Sequence, residues 1–419
     1  MTTSVAVSDA VVTGLGIVAP TGIGIEEHWQ AVLDGKSGID RITRFDPTSY
    51  PVRLAGEVSD FDATQCVPSR LIPQTDHWTH MALVAAEAAL GDAGVDPAVL
   101  PEYEMAVVTA SSSGGNAFGQ RELQQLYQNG PSWVGAYQSI AWFYAATTGQ
   151  ISIRHGMRGP CGVICCEQAG GLDAMGQARR MIRGDCRLVV TGGTEAPLCP
   201  YGLVTQLCNA KMSTVDDPGR AYVPFDVNAS GYLPGEGGAI LIVEAGSTTG
   251  STREAYGAVL GYAAGFDPPP GSPRPPALRR VIERAIADAG LRSSDVDVVF
   301  ADAAGSPADD LAEARAITEI FGPRGVPVTA PKTLTGRLYS GGAALDVATA
   351  LLAIRDGVVP HTVGPSRLAS GCDIDLVLEQ PRERLLRTAL VVSRGHGGFT
   401  AALVLGRPES YPMQWRKGR

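Results

Sequence analysis

The sequence predicts an α/β fold built as two similar halves, 1–255 and 256–419. Three observations predict it. Short apolar strands alternate with stretches of helical period across small-residue turns, the pattern of stacked βαβ units. The run AEAALGDAG, ending at Gly94, returns as VIERAIADAG, ending at Gly290; each is a helix that stops at Asp-Ala-Gly and leads into a strand. Gly170-Gly171 and the helix to Arg183-Gly184 return as Gly341-Gly342 and the helix to Asp356-Gly357, and each is again followed by a strand that runs into glycines. Because βαβ units cover both faces of a sheet, the sheets are expected to be buried and mainly parallel.

The elements follow in order. Val11 to Val18 is a glycine-interrupted apolar strand, and a short helix begins at His28. Thr79 to Gly94 is a helix, with Thr79 placed to cap it and Gly94 to stop it. Met105 to Ala110 is a strand that runs into the turn Ser111-Ser112-Ser113-Gly114-Gly115. In the second half the matching strand, Val296 to Ala301, enters the turn Ala303-Ala304-Gly305. Asp267 to Pro276 is a stiff, proline-rich surface loop, and Arg407 to Arg419 is a polar, peripheral tail. In open α/β folds ligands bind beyond the carboxyl ends of the strands, so the turns near 111, 168, 304, 337 and 395 are expected to converge.

Composition narrows the function. With 419 residues, 44% hydrophobic and 18% charged, the chain can bury a large core. A net charge of −9 without any basic run argues against nucleic acid or an anionic membrane as partner. No apolar run reaches the ~18 residues of a membrane span, and Met1 to Ala10 lacks the pattern of a signal peptide, so a cytoplasmic protein is expected. Eight cysteines show no paired C-x-x-C spacing; they are expected to be buried, reduced thiols, with Cys165 and Cys166 on opposite faces of a strand and no metal site.

The chemistry centres on Gly162 to Leu172 (GVICCEQAGGL), which reads as strand, sharp turn and helix, with Gln168 at the turn. That location suits a nucleophile, because free N–H groups and the helix dipole stabilise an adjacent anion. An amide is no nucleophile and has no useful acid or base form, although it donates and accepts hydrogen bonds.

Five segments together resemble the β-ketoacyl synthases, the condensing enzymes of fatty-acid and polyketide synthesis: VVTGLGIVAPTG at 11–22, GQISIRHGMRGP at 149–160, VTGGTEAP at 190–197, PFDVNASGYLPGEGGAILIVE at 224–244 and PKTLTGR at 331–337. The resemblance spans nearly the whole chain and implies the thiolase-like duplicated fold, layered α-β-α-β-α. Catalytic members carry a nucleophilic Cys where this chain has Gln168, a His in A-H-G-T-G where it has Ala304, and a second His in K-S-x-T-G-H where it has Arg337. Losing a nucleophile alone costs about a millionfold in turnover, Ala304 offers no proton, and a guanidinium stays protonated. Condensation by this chain alone is therefore not expected.

The segments at 150–160 and 167–174 are similar to the chain length factor, or ketosynthase β subunit, of bacterial aromatic type II polyketide synthases. That resemblance implies an obligate heterodimer with a catalytic ketosynthase, traffic with an acyl carrier protein, and a tunnel at the interface for the growing poly-β-ketone; it implies no cofactor and no metal. If 115–123 is helical, Asn116, Gly119 and Leu123 share a face at i, i+3 and i+7, and in the family this face projects toward the tunnel. Glycine costs about 1 kcal/mol in a helix against alanine, so Gly119 suggests wanted space and a longer product; a helix-capping glycine is the plainer alternative. His396, where relatives carry a glycine-flanked Phe that gates the pocket, is assigned a structural or gating role. The aromatics Trp133, Tyr137, Trp142, Phe143 and Tyr144 belong either to the core or to the dimer contact, and Arg179, Arg180, Arg183, Arg279, Arg280 and Arg284 are read as solvated rather than as a docking site. Two competing functions remain: decarboxylation of malonyl-carrier protein through Gln168, and a purely structural partnership. Cys166 as a substitute nucleophile is remote, since it is expected in the buried strand.

Overall fold

A computed structural model describes residues 10–246, 255–269 and 271–407. The expected peripheral tail from 408 and the amino-terminal stretch 1–9 lie outside the described residues, as do 247–254 just before the expected junction of the halves.

The first half contains β1 (Ala10–Ala19), α1 (His77–Ala93), β2 (Met105–Ala110), α2 (Asn116–Asn129), α3 (Ala146–His155), β3 (Cys161–Ile164), α4 (Gly170–Ile182), β4 (Leu188–Glu195) and β5 (Gly237–Ala245). The second contains β6 (Gly257–Phe266), α5 (Leu278–Asp288), β7 (Val298–Phe300), α6 (Pro307–Phe321), β8 (Pro327–Thr329), α7 (Ser340–Asp356), β9 (Thr388–Arg394) and β10 (Phe399–Gly406). Spatial order is β3-β2-β4-β5-β1 in the first half and β8-β7-β9-β10-β6 in the second. The two orders are the same, strand for strand. The halves meet where β1 pairs with β6 through Val11 opposite Ala258 and Val12 opposite Gly257.

The sheets are mixed, which corrects the expectation of mainly parallel strands. β2 runs parallel to β3 and β4, and β7 runs parallel to β8 and β9. β5 runs antiparallel to its neighbours β4 and β1, and β10 runs antiparallel to its neighbours β9 and β6. Burial explains why composition misled: β5 and β10 are covered on both faces like parallel strands, so their apolar runs do not alternate.

Three cores define the layers. Along β4, Val189 faces a central core with Leu172 and Met175 of α4 and most of α7, while Leu188 and Val190 face α1. In the second half, Val391 faces the same central core while Leu390 and Val392 face α5 and α6. The layers are therefore α1, first sheet, α4 with α7, second sheet, α5 with α6. α7 is apolar on all sides because protein surrounds it, which a surface helix could not tolerate. Gly14 and Gly16 allow α1 to lie close on β1, since side chains there would run into the carbonyls of Ala89 and Ala85.

Several local expectations change. α1 is capped by Asp76 rather than Thr79; the carboxylate accepts from Trp78 N, and the same side chain accepts from Phe118 N at 2.6 Å. Gly94 ends α1 in the left-handed conformation, as expected. Cys66, Cys161, Cys165 and Cys208 are exposed, so the thiols are not uniformly buried. Cys165 and Cys166 lie beyond the end of β3, not on its two faces. Arg179 is buried, not solvated: it pairs with Asp288 and donates to the carbonyl of Leu260, tying α4 to the second half. Arg279 pairs with Glu283 and Glu319.

Candidate functional site

The apolar edge strand β3 feeds a tight turn and then α4, and Gln168 sits in that turn, buried. Glu167 before it has φ of 52°, a left-handed conformation that costs a non-glycine residue about 1–3 kcal/mol. Gly171 is required next, because a Cβ there would come within 2.5 Å of Ser340 O and 2.6 Å of Ala344 N where α4 crosses α7. The turn is pinned by main-chain bonds: Ser393 Oγ donates to Gln168 O at 2.9 Å and Ser340 Oγ donates to Glu167 O at 2.9 Å. Among the described residues the Gln168 amide itself makes no hydrogen bond; it faces a pocket.

That pocket is lined by Gln168, Ala304, Arg337, Gly395 and His396, together with Glu167, Lys211, Tyr232, Asp302, Asp309 and Arg394. The turns near 168, 304, 337 and 395 therefore meet, while the Ser111 turn opens on a different cleft. Ala303 and Tyr339 also have positive φ, 49° and 48°, so backbone strain flanks all three positions of interest. His396 is exposed at the rim, and its backbone N–H donates to Glu167 Oε2 at 2.8 Å.

Charge dominates the pocket, and it is tied up. Arg337 donates to Asp302 Oδ1 at 2.8 Å, to Asp302 O at 2.8 Å and to Arg394 O at 2.9 Å, with its guanidinium 5.6 Å from the Tyr232 ring. Arg394 continues the chain, donating to Asp302 Oδ2 at 3.2 Å and to Glu313 at 3.1 Å. Burial pushes the Asp302 carboxyl up, but Arg337, Arg394 and Lys332 outweigh it and hold it well below the usual carboxylate range. Lys211 is matched to Asp309 at 2.8 Å and Lys332 to Asp346 at 2.7 Å. Burial pushes the Glu167 carboxyl up, and it pushes the Cys166 thiol up to about 12. Cys166 is half-buried beside Asp173, and both the burial and that carboxylate disfavour its thiolate. No group of His, Cys, Asp and Glu among the described residues could hold a metal.

The second cleft, about 300 Å³, is lined by Ser112, Ser113, Asn116, Trp142, Phe143, Tyr144, Tyr201, Thr205 and Tyr339. α2 does form, and Asn116 and Gly119 are buried on it while Leu123 is exposed at 44%. Gly119 is inside the second turn rather than at a cap, and its missing side chain does not leave free space. A Cβ there would lie 2.6 Å from Trp142 Cδ1 and 3.1 Å from Nε1: the indole occupies the notch. Beside Ser112 and Ser113 of the cleft, Glu195 is fully buried and accepts from the hydroxyls of Ser111 and Ser113 and the N–H groups of Ser112 and Ser113; burial raises its pKa to about 7 despite those bonds. The aromatics that were expected in the core or at a contact are on the surface: Trp133 is 63% exposed, and Tyr137, Trp142, Phe143 and Tyr144 are each more than a third exposed.

Sequence reasoning missed the Asp302–Arg394–Glu313 network and the Trp142 seat. Asp302 and Arg394 flank turns already singled out, so a charge beside each turn was the available signal; the meeting of Gly119 with Trp142 has none in a single sequence.

A duplicated five-layer fold whose first strand-turn-helix carries the reacting position defines the class. The family profiles "Beta-ketoacyl synthase, N-terminal domain" and "Beta-ketoacyl synthase, C-terminal domain" match residues 8–248 and 256–365, and the chain belongs to the β-ketoacyl synthase family. Within it, the chain groups with the ketosynthase β subunits of type II polyketide synthases. It is 59% identical over 400 residues to the tetracenomycin polyketide synthase ketoacyl synthase beta subunit of Streptomyces glaucescens, covering 95% of this chain and 98% of that protein. A condensing relative, the 3-oxoacyl-acyl-carrier-protein synthase 2 of Coxiella burnetii, is 32% identical across 95% of this chain and 98% of its own length. Among solved structures, the ishigamide ketosynthase/chain length factor superposes with a TM-score of 0.88 at 26% identity, covering 96% of this chain and 100% of that one. A type II polyketide acyl-carrier protein in complex with its ketosynthase bound to the hexaketide superposes at 0.84 and 25% identity, with 96% and 100% covered.

Proposed function

We propose that this chain is the non-condensing subunit of a minimal polyketide synthase: it pairs with a catalytic ketosynthase, meets its acyl carrier protein, and sets the length of the poly-β-ketone. One observation carries the reading. The position of the nucleophile is an amide and the position of the second histidine is a buried arginine locked to Asp302, so the fold is kept without its chemistry. What the fold still offers is surface. β3 ends its sheet and, among the described residues, pairs with β2 alone, leaving a strand edge that another chain can extend. The exposed aromatics of the same half, with Tyr127 at 84% and Ile153 at 76%, supply apolar surface of the kind expected of an obligate contact, which buries upwards of ~2,000 Å².

Asn116, Gly119 and Leu123 on α2 are assigned to the tunnel side of that contact, and His396 to the rim of the vacated pocket. We assign the halves to 1–255 and 256–419 and the protein to the cytoplasm; no described helix is long and apolar enough to cross a membrane. The test is reconstitution. The chain with its ketosynthase and carrier protein is expected to make polyketide, and the chain alone to make none; condensation by the isolated chain would end the proposal. Exchanging this subunit for a relative of different product length, with the ketosynthase held constant, should change the product. An unchanged length would leave the purely structural partnership as the better reading.

Decarboxylation through Gln168 is the weaker alternative. An oxyanion donor contributes about 100- to 1000-fold, and the Gln168 amide is unpartnered. But each cation lining the pocket is already matched to a carboxylate, so nothing charged is left to receive a malonyl group.

A further inference from the structure

Glu195 closes β4, and its carboxyl group is fully buried. Among the described residues no Lys, Arg or His pairs with it. The groups around it are donors from a single turn: Ser112 N at 2.5 Å, Ser113 N at 3.3 Å, Ser113 Oγ at 2.6 Å and Ser111 Oγ at 3.4 Å. β5 opposes it with Gly237, which has no side chain, and α1 brings the uncharged Trp78 against Thr194. The ionisable groups that face it are Cys165, beyond β3, and Tyr339, ahead of α7; burial pushes both up, so both are neutral at physiological pH.

Such a carboxyl group has two workable states. Ionised, it satisfies all four donors, and each bond is charge-assisted. Protonated, it must itself donate, and Ser113 can receive: that hydroxyl can turn to Gly114 O, 3.4 Å away, and accept from the acid. Burial sets the balance between the two states near neutrality, with the folded pKa at about 7. The turn is also tied to its neighbour. Ser112 Oγ lies 3.0 Å from Ser340 Oγ, and Ser340 Oγ donates to Glu167 O at 2.9 Å. Because Ser340 gives its hydrogen to Glu167, Ser112 is the donor of the serine pair. A continuous chain therefore runs from Glu195 through two serines to the left-handed residue before Gln168.

We propose that Glu195 is a proton-operated clasp: ionised, it pins the Ser111 to Gly115 turn and, through Ser112 and Ser340, firms the Glu167–Gln168 turn; protonated, it lets both turns loosen. The two hollows share this clasp, since Ser112 and Ser113 line the cleft while Glu167 and Gln168 line the pocket. Their walls tighten together as pH rises, whatever either hollow receives. Global stability runs the other way, falling as the buried carboxyl group loses its proton. That opposition separates the clasp from unfolding.

The experiment is amide hydrogen exchange on the chain in complex with its ketosynthase, from about pH 6 to about pH 8, with rates corrected for the intrinsic effect of pH. Protection of the Ser112 and Ser113 amides should rise about tenfold across that window as their acceptor gains charge, while core amides of α7 lose protection. The Ala169 amide, bonded to Cys166 O at the far end of the chain, should rise with them. Glu195→Gln should abolish the rise at all three amides, and Ser340→Ala should abolish it at Ala169 alone. Ser113→Ala, which removes a donor to the ionised form, should move the midpoint to higher pH, a check that does not depend on the glutamine variant assembling. A response at Ser112 and Ser113 that follows the core downward, or that survives in Glu195→Gln, overturns the clasp. A midpoint unmoved by Ser113→Ala overturns it as well. An Ala169 response retained in Ser340→Ala would trace to the Glu167 carboxyl instead and overturn the link between the two turns.

Discussion

The pocket at Gln168 and the cleft at Asn116 lie on either side of Ser340, whose hydroxyl bonds to Glu167 O on one side and to Ser112 on the other. One is lined by four carboxylates and three cationic side chains, Glu167, Asp267, Asp302 and Asp309 with Lys211, Arg337 and Arg394; the other is lined by no such group. In the first, most polar contacts are made by protein to protein. In the second, an amide is left waiting. The contrast teaches how differently one fold can line two neighbouring hollows: the first closes on itself with ion pairs, whereas the second keeps the Asn116 amide free of protein partners among the described residues.

The contrast can be broken at its strongest point first. Arg337→Ala strands Asp302 in the interior with only part of its compensation, and removing one partner of a buried pair costs about 3–5 kcal/mol; urea denaturation should register that loss, and a change below ~1 kcal/mol would mean that the network is not a lock. Glu195 gives the next effect. Its folded pKa of about 7 lies above the unfolded value of 4.5, so the folded state holds the extra proton, and stability falls as pH rises from about 4.5 through about 7. At 1.36 kcal/mol per unit this amounts to a loss on the order of 3 kcal/mol across that window. Glu195→Gln should flatten that part of the profile, and a wild-type slope retained in the variant would assign it elsewhere, with Asp310 the next candidate.

Smaller effects sharpen the contrast. Gln168→Ala in the heterodimer is expected to change carbon dioxide release from malonyl-carrier protein by less than threefold, against about 100-fold or more for an oxyanion donor. Cys161, exposed on β3, should label readily with a neutral maleimide in the free chain and be shielded in the heterodimer. Equal labelling in both would move the contact away from that edge.

Much of the fold was legible in the sequence because its signals are local and repeated. The Asp-Ala-Gly stops and the Gly-Gly helix starts recur in both halves, and Met105 to Ala110 and the turns at 168 and 304 stand where the pattern put them. Strand direction was not legible: β5 and β10 are antiparallel, yet they are buried on both faces, and burial is what the apolar run reports. The aromatics from Trp133 to Tyr144 could not be placed, since large rings serve cores and contacts alike. The emptied reaction centre was visible as three residue types, but what replaced it was not. Asp302 meets Arg337 across 35 positions of sequence and Trp142 meets Gly119 across 23, and no spacing rule connects them.

The tie between Arg337 and Asp302 also bears on ancestry. A mutation that restored cysteine at 168 would create a thiol with no imidazole to activate it, and exchanging Arg337 for histidine would first unsettle the interior that now leans on it. The first step returns no turnover and the second weakens the molecule, so the Arg337–Asp302 tie stands as a barrier between this subunit and a working catalyst.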